Sequence, residues 1–312
     1  MPDDNRRDIM FKKALLGAVS LVAMSVGAAQ AEDLKEFRIG IIGGENEADR
    51  LRNFQCMIDK LPGALGVEKV SLFPAADYDG TIQGLLGGTL DYAELGASGY
   101  AKIYLENPQA VEPILTTVQT DGSTGYYSIM VARKDSGIKT LEDMKGKKLG
   151  FADPDSTSGY LVPSVTLPGA LGGVAVKDFF GETGFGGGHE NLVLEVLKGT
   201  FDAGTTFGSG VGDFKDGYTS GNLAKMVEKG VLDMDDLVEL WKSPLIPNGP
   251  VVVRSSMDAD MKTKFKEFML GLPKSDPDCF SAIQGGDFTG FTEVTPEFYQ
   301  PIIDARKAQI GS

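Results

Sequence analysis

Residues 150–163, GFADPDSTSGYLVP, place a cluster of hydroxyls between an apolar run and a periodic one. The strand-like GFA ends in Asp153-Pro154-Asp155. Ser156-Thr157-Ser158-Gly159 then lead into the helical spacing of YLVPSVTL. Hydroxyls and unbonded backbone N–H groups at the start of a helix form a cradle for an anion. Neutral donors and the helix dipole can hold a phosphate-like oxyanion without a formal positive charge, and the stretch contains no lysine or arginine. The same pattern also describes an ordinary Ser/Thr helix cap, and the stretch alone does not separate the two.

His189 is the only histidine in the chain, and it follows three glycines at a helix start in GGGHENLVLEVLKG. Glycines permit a close backbone approach, and the ring N–H can donate to the same anion; a lone histidine at such a place also serves as a cap or surface residue. Tyr126 in DGSTGYYS and Tyr78 in PAADYDG sit at loop-to-element junctions, where either can be a cleft or a core aromatic. The sequence has no H-E-x-x-H, C-x-x-C, G-x-S-x-G or P-loop motif, no carboxylate pair spaced for a metal, and no call for a cofactor. Nucleophilic chemistry would fall to Ser156 or Thr157 with His189, which gives a secreted phosphoester hydrolase as the alternative to a binding protein.

The elements that must position these residues alternate. FRIGIIGG is an apolar strand ending in glycines, and ADRLRNFQCMIDKLPGALG follows with helical spacing at Leu51, Phe54, Met57, Ile58 and Leu61. KVSLFP is a second strand, DYDGTIQGLLGG a second helix and TLDYAELG a third strand. YSIMVA (Tyr127–Ala132) and KLGFA (Lys148–Ala152) read as strands further on, and VVVR as a strand fed by the proline-rich WKSPLIPNGP; two helices, DADMKTKFKEFMLGL and TPEFYQPIIDARKAQI, close the chain. Such alternation argues for an α/β sheet fold. LGGTLDYA (residues 86–93) is echoed by LKGTFDAG (residues 197–204), 111 positions on at the aspartates, as two lobes of similar construction would produce.

Residues 1–31 carry a basic patch, the apolar run ALLGAVSLVAMSVG and the Ala29-Gln30-Ala31 cleavage signal of a secretory signal peptide. The residues after Arg6-Arg7 are not those of a twin-arginine signal, and no cysteine stands at the cleavage site to take a lipid. Cleavage after Ala31 and export are expected, leaving 281 of the 312 residues as a soluble periplasmic chain. That length predicts two lobes. Net charge is −14, and the leader's three aspartates and four basic residues sum to +1, so the remainder carries −15. Nucleic acid and anionic membranes are poor partners for such a chain. Cys56 and Cys279 are the only cysteines; export permits a disulfide, while sequence alone does not place the two sulfurs together.

Five segments in order, RIGIIGG, DYDGTIQGLLGGTLD, TDGSTGYYSIMVARKDSGI, DPDSTSGYLVP and GGHENLVLEVLKGTFDAG, followed by WKSPLIPNGPVVVR, cover most of the chain. Together they resemble the periplasmic phosphonate-binding proteins of ABC transporters, within the wider phosphate/phosphite/phosphonate group. The resemblance implies an α/β, two-lobed type II periplasmic binding protein fold with a hinge and an interlobe ligand cleft. It implies a substrate-binding component and not an enzyme, taking a small phosphorus oxyanion (phosphonate, phosphite or phosphate) and delivering it to an ABC permease in the inner membrane. A sulfonate or other oxyanion would suit the same fold. Lobe one is expected over residues 32–130 and 250–312, and lobe two over residues 131–249.

Carried over position by position, the resemblance makes Ser156, Thr157, Ser158, His189, Tyr126 and Tyr78 the oxyanion ligands. Relatives that take aminoalkylphosphonates add acids for the ammonium group; this sequence has Ser209 and Gly249 at those places. A buried ammonium lacking a counter-charge costs several kcal/mol. Glu94, where relatives often have an apolar or aromatic residue, and Asp213 are the candidate substitutes, so Ser209, Gly249 and Glu94 are the expected selectivity positions. The chain ends at Ser312 without the extended helical tail that supports dimers in some relatives, which favours a monomer.

Overall fold

Residues 36–41 and 69–74 pair as two parallel strands at the opening of a computed structural model that describes residues 35–44 and 46–311. The expected leader and cleavage after Ala31 fall outside the described residues. The strands are β1 (Glu36–Ile41), β2 (Lys69–Pro74), β3 (Tyr92–Glu94), β4 (Val111–Gln119), β5 (Gly125–Arg133), β6 (Lys148–Phe151), β7 (Glu182–Phe185), β8 (Ala203–Gly208), β9 (Leu237–Lys242), β10 (Ile246–Pro247), β11 (Pro250–Arg254) and β12 (Phe288–Glu293). The α-helices are α1 (Glu47–Asn53), α2 (Gln55–Leu65), α3 (Tyr78–Leu86), α4 (Ala97–Glu106), α5 (Val162–Ala170), α6 (Val176–Phe179), α7 (His189–Lys198), α8 (Asn222–Glu228), α9 (Ala259–Ser275), α10 (Pro277–Gln284) and α11 (Gln300–Ile310).

Two sheets result, one in each lobe. The first has the order β12-β4-β11-β3-β1-β2, and the second has the order β10-β5-β8-β6-β7 with β9 also paired to β5. In each, one set of strands is parallel and the rest antiparallel: β1 runs parallel to β2 and β3, and β6 runs parallel to β7 and β8. The chain fills the first sheet through β4, builds the second from β5 to β10, and returns to the first with β11 and β12. Both faces of each sheet are covered, which is why the central strands are continuous apolar runs. In β11, Val251 and Val253 enter the core against α2 and α9 while Val252 enters the opposite core with α4 and α11. In β5, Met130 and Ala132 face one core and Ile129 and Val131 the other.

The sequence echo has a structural cause. Asp91, just before β3, accepts the Arg38 N–H of neighbouring β1 at 2.9 Å, and Asp202, just before β8, accepts the Lys148 N–H of neighbouring β6 at 2.7 Å. In both lobes an aspartate satisfies a backbone donor at the entry of the adjacent parallel strand. Asp91 also takes the Arg38 and Arg254 guanidiniums.

The helix read as one segment from residue 48 to 66 is two, α1 and α2, with Phe54 at φ −93°, ψ 1° between them. The break leaves Cys56 in the first turn of α2, and it is joined by a disulfide to Cys279 of α10. Among the described residues no helix is long and apolar enough to cross a membrane.

Candidate functional site

The loop after β6 is held by hydroxyls placed for that purpose. Ser156 is extended at φ −71°, ψ 136°, and its Oγ accepts the Gly159 N–H at 3.0 Å, which makes it the cap foreseen from sequence. The turn it opens is wider than an α-turn: Thr157–Leu161 wind as one π-turn before α5 continues. Such turns recur at functional sites because they re-aim the side chains of one helical turn. Gly159 has no alternative, since an added Cβ would sit 2.4 Å from Ala152 Cβ and 2.9 Å from His189 Cε1. From the sheet beneath, Ser128 Oγ donates to Ser158 O at 2.6 Å and Thr205 Oγ1 to Gly159 O at 2.8 Å.

Four other elements surround the turn. His189 opens α7, is 5% exposed, and places Nε2 2.9 Å from Ser156 Oγ, with its ring edge-to-face against Phe207. From the other lobe, the Ser98 N–H in the first turn of α4 donates to Thr157 Oγ1 at 2.8 Å. Tyr126, at the start of β5, is half-buried against Phe207; desolvation pushes its phenol up, opposed by hydrogen bonding with the Ser158 and Thr157 hydroxyls. Tyr78 opens α3, whose cap is the Asp77 carboxylate accepting the Gly80 N–H at 2.9 Å. Behind it, Asp153 is pushed up, chiefly by burial and also by Asp155 and Asp77, with the Tyr78 backbone facing its carboxylate.

All six expected oxyanion ligands and all three expected selectivity positions line one cavity of about 220 Å³. Glu94 faces it from β3, accepting from Tyr92 Oη at 2.7 Å and from Gln284 Nε2 at 2.9 Å; burial pushes its carboxyl up, while Tyr92, Gln284 and the charge of Lys225 act against that. Ser209 lies 3.2 Å from Thr219 Oγ1 at the end of β8. Gly249 sits so close to lobe one that a Cβ there would be 1.9 Å from Leu95 O, so this backbone admits no side chain at that position. Asp213 is exposed, 3.8 Å from Lys215, and is not part of the lining.

Sequence reasoning missed Gly44, Gln119, Phe207, Lys225, Asn248 and Gln284, which also line the cavity. Gln119 ends β4, whose internal Pro113 hides a strand pattern, and Lys225 and Gln284 belong to the short helices α8 and α10. No local signal marks them. Among the described residues no His/Cys/Asp/Glu group has the arrangement of a metal site.

A family model described as "ABC transporter, phosphonate, periplasmic substrate-binding protein" matches residues 39–299. The chain is 30% identical over 272 residues to the phosphonates-binding periplasmic protein of Escherichia coli, covering 86% of this chain and 75% of that one. It is 29% identical over 234 residues to the phosphate-import protein PhnD of Mycolicibacterium smegmatis, covering 73% and 69%. Among solved structures, a binding protein component of an ABC phosphonate transporter from Pseudomonas aeruginosa superposes with a TM-score of 0.73 at 27% identity, covering 89% of this chain and 87% of that one. PhnD1 from Prochlorococcus marinus, in complex with methylphosphonate, shares the fold with a TM-score of 0.71 at 19% identity, over 89% and 99% of the two chains.

Proposed function

The chain belongs to the family of periplasmic substrate-binding proteins of phosphonate ABC transporters, and we propose that its cleft captures a small phosphorus oxyanion for delivery to an inner-membrane ABC permease. The observation that carries this reading is the Ser156–His189 pair at 2.9 Å, set on the π-turn where the first turns of α4 and α7 also converge. Helix N-termini, three hydroxyls, a ring N–H and two phenols supply neutral donors to a tetrahedral anion. Short-range hydrogen bonds of this kind do not conflict with a net charge of −14.

Ser156, Thr157, Ser158, His189, Tyr126 and Tyr78 are the proposed oxyanion ligands. The remaining end of the cavity, with Glu94, Ser209 and the backbone at Gly249, faces whatever the fourth substituent on phosphorus carries. Among the described residues Glu94 is the one carboxylate in the lining, and it is the proposed partner for a ligand cation. We place the hinge at residues 120–124 and 248–249, where the chain passes between sheets; the first crossing is a few residues ahead of the sequence-based boundary at 130. Export with cleavage after Ala31, and a monomeric state, complete the reading.

Isothermal titration with phosphate, phosphite, methylphosphonate, 2-aminoethylphosphonate and methanesulfonate tests it. Binding of at least one phosphorus oxyanion is expected, and silence with all four phosphorus compounds would refute it. A serine and a histidine at 2.9 Å also have nucleophile-and-base spacing. Family members are transport proteins, and a chromogenic phosphate ester is expected to stay intact; turnover lost in His189→Ala would instead establish a hydrolase.

A further inference from the structure

Behind the oxyanion turn lies a charged cluster that contributes nothing to the cavity wall. Asp155, the residue before Ser156, is 5% exposed and carries two cations from lobe one. Lys102 Nζ of α4 donates to Asp155 Oδ2 at 2.8 Å, and the Arg306 guanidinium of α11 bonds Asp155 Oδ1. Each cation makes a second bond toward the site. Lys102 also binds Asp79 Oδ1 at 2.7 Å, next to Tyr78, and Arg306 Nη1 binds Ser98 Oγ at 2.7 Å. Ser98 is the residue whose N–H donates to Thr157 Oγ1. Tyr78, Ser156 and Thr157 are therefore each one residue or one hydrogen bond from the cluster, and neither Lys102 nor Arg306 lines the cavity.

We propose that Asp155 is a positioning residue for the oxyanion site: its ion pairs with Arg306 and Lys102 hold the Ser156–Ser158 turn of lobe two against the first turn of α4 in lobe one, so that ligand binding and docking of the lobes are one equilibrium. The proposal rests on the reading that the cleft binds a phosphorus oxyanion. Leu161 and Val162, which follow the turn, already pack into the apolar cluster of α4 and α11, so the ion pairs stand at the rim of a seam between the lobes. Moving the lobes apart would strip Asp155 of both cations. A group that favours the docked arrangement without touching ligand raises affinity by the factor through which it shifts that equilibrium. Breaking one side of a buried pair is costly: loss of Asp155 takes the carboxylate from both cations, and loss of Arg306 leaves Asp155 to Lys102 alone.

The test is a double-mutant cycle on methylphosphonate affinity, read beside the thermal unfolding of the ligand-free protein. Asp155→Asn and Arg306→Met are each expected to weaken binding by about tenfold or more, and the double variant by no more than the worse single, because both remove the same contact. Arg306→Lys keeps the charge without the planar fork and is expected to restore part of the affinity. Should Arg306→Met not fold, Lys102→Met and Arg306→Lys carry the comparison. Folded variants binding within twofold of wild type would overturn the proposal, as would single effects that multiply in the double variant. Wild type failing to bind phosphate, phosphite, methylphosphonate and 2-aminoethylphosphonate would instead refute the reading of the cleft, so the two failures are distinct.

Discussion

Gly188 of lobe two and Gly44 of lobe one meet backbone to backbone: a Cβ added to Gly188 would lie 2.3 Å from the Gly44 Cα and 2.3 Å from its carbonyl oxygen. Gly188 is also at φ +126°, outside the range of L side chains, and immediately precedes His189. Gly188→Ala therefore meets strain within its own lobe and collision across the cleft. The strain is expected to cost about 1–3 kcal/mol in denaturant unfolding of the ligand-free protein. The collision adds a separate loss of oxyanion affinity in calorimetry. An alanine variant with wild-type affinity would show that the contact is not needed for binding.

Ser156 serves two neighbours at once, accepting the Gly159 N–H at 3.0 Å and lying 2.9 Å from His189 Nε2. Ser156→Ala removes that partner from both groups, one of them the buried start of the π-turn. Loss of one partner of a buried hydrogen bond costs about 1–3 kcal/mol. If the ligand's oxygen is held there, affinity falls roughly 5- to 150-fold. His189→Ala should fall in the same range, and unchanged titration curves for both would remove this end of the cavity from the binding reading.

The site was readable from sequence where one stretch holds its own chemistry, and unreadable where the partner is supplied by the fold. Ser156 to Gly159 carry a cap in their local residue types, and the cap occurs at Ser156; the glycines before His189 allow a close approach, and Gly188 meets the backbone of Gly44. The aspartate echo was visible as a repeat, yet its meaning, a bond to the N–H of the neighbouring parallel strand, needed the pairing of β1 with β3 and of β6 with β8. The split at Phe54 has no periodic signature, because apolar spacing continues through it. Asp155 looked like a turn residue; its cations come from positions 53 and 151 residues away.

Cys56 and Cys279 close a loop across 223 residues and tie α2 to α10 on one face of the first sheet. A cross-link over so long a loop chiefly restricts the unfolded chain, and removal of such a native bridge typically costs about 2–5 kcal/mol. Cys56→Ser with Cys279→Ser is expected to lose stability in that range in denaturant titration. Wild type treated with reductant should match the double variant, and the variant itself should be indifferent to reductant. Wild type that resists denaturant equally with and without reductant would contradict the bridge's contribution.

Glu94 gives a pH dependence whose sign follows from its surroundings. Burial holds its carboxyl above the ordinary 4.5, against hydrogen bonds from Tyr92 and Gln284 and the charge of Lys225. Tyr92, its own phenol pushed well up by burial, remains a donor throughout. With the folded value above the unfolded one, the native state binds more protons in the interval between them. The stability from this group is therefore complete at low pH and is lost as pH rises from about 4.5 through the folded value. Glu94→Gln keeps a carbonyl acceptor for Tyr92 and Gln284 but cannot ionise, so the stability of the variant relative to wild type should rise with pH across that interval and level off above it. Denaturant midpoints at intervals of pH measure this difference, and a flat difference would show that Glu94 is not held in the protonated direction. The same variant separates the two ends of the cavity: methylphosphonate affinity should persist, while any ligand whose cation meets Glu94 should bind more weakly.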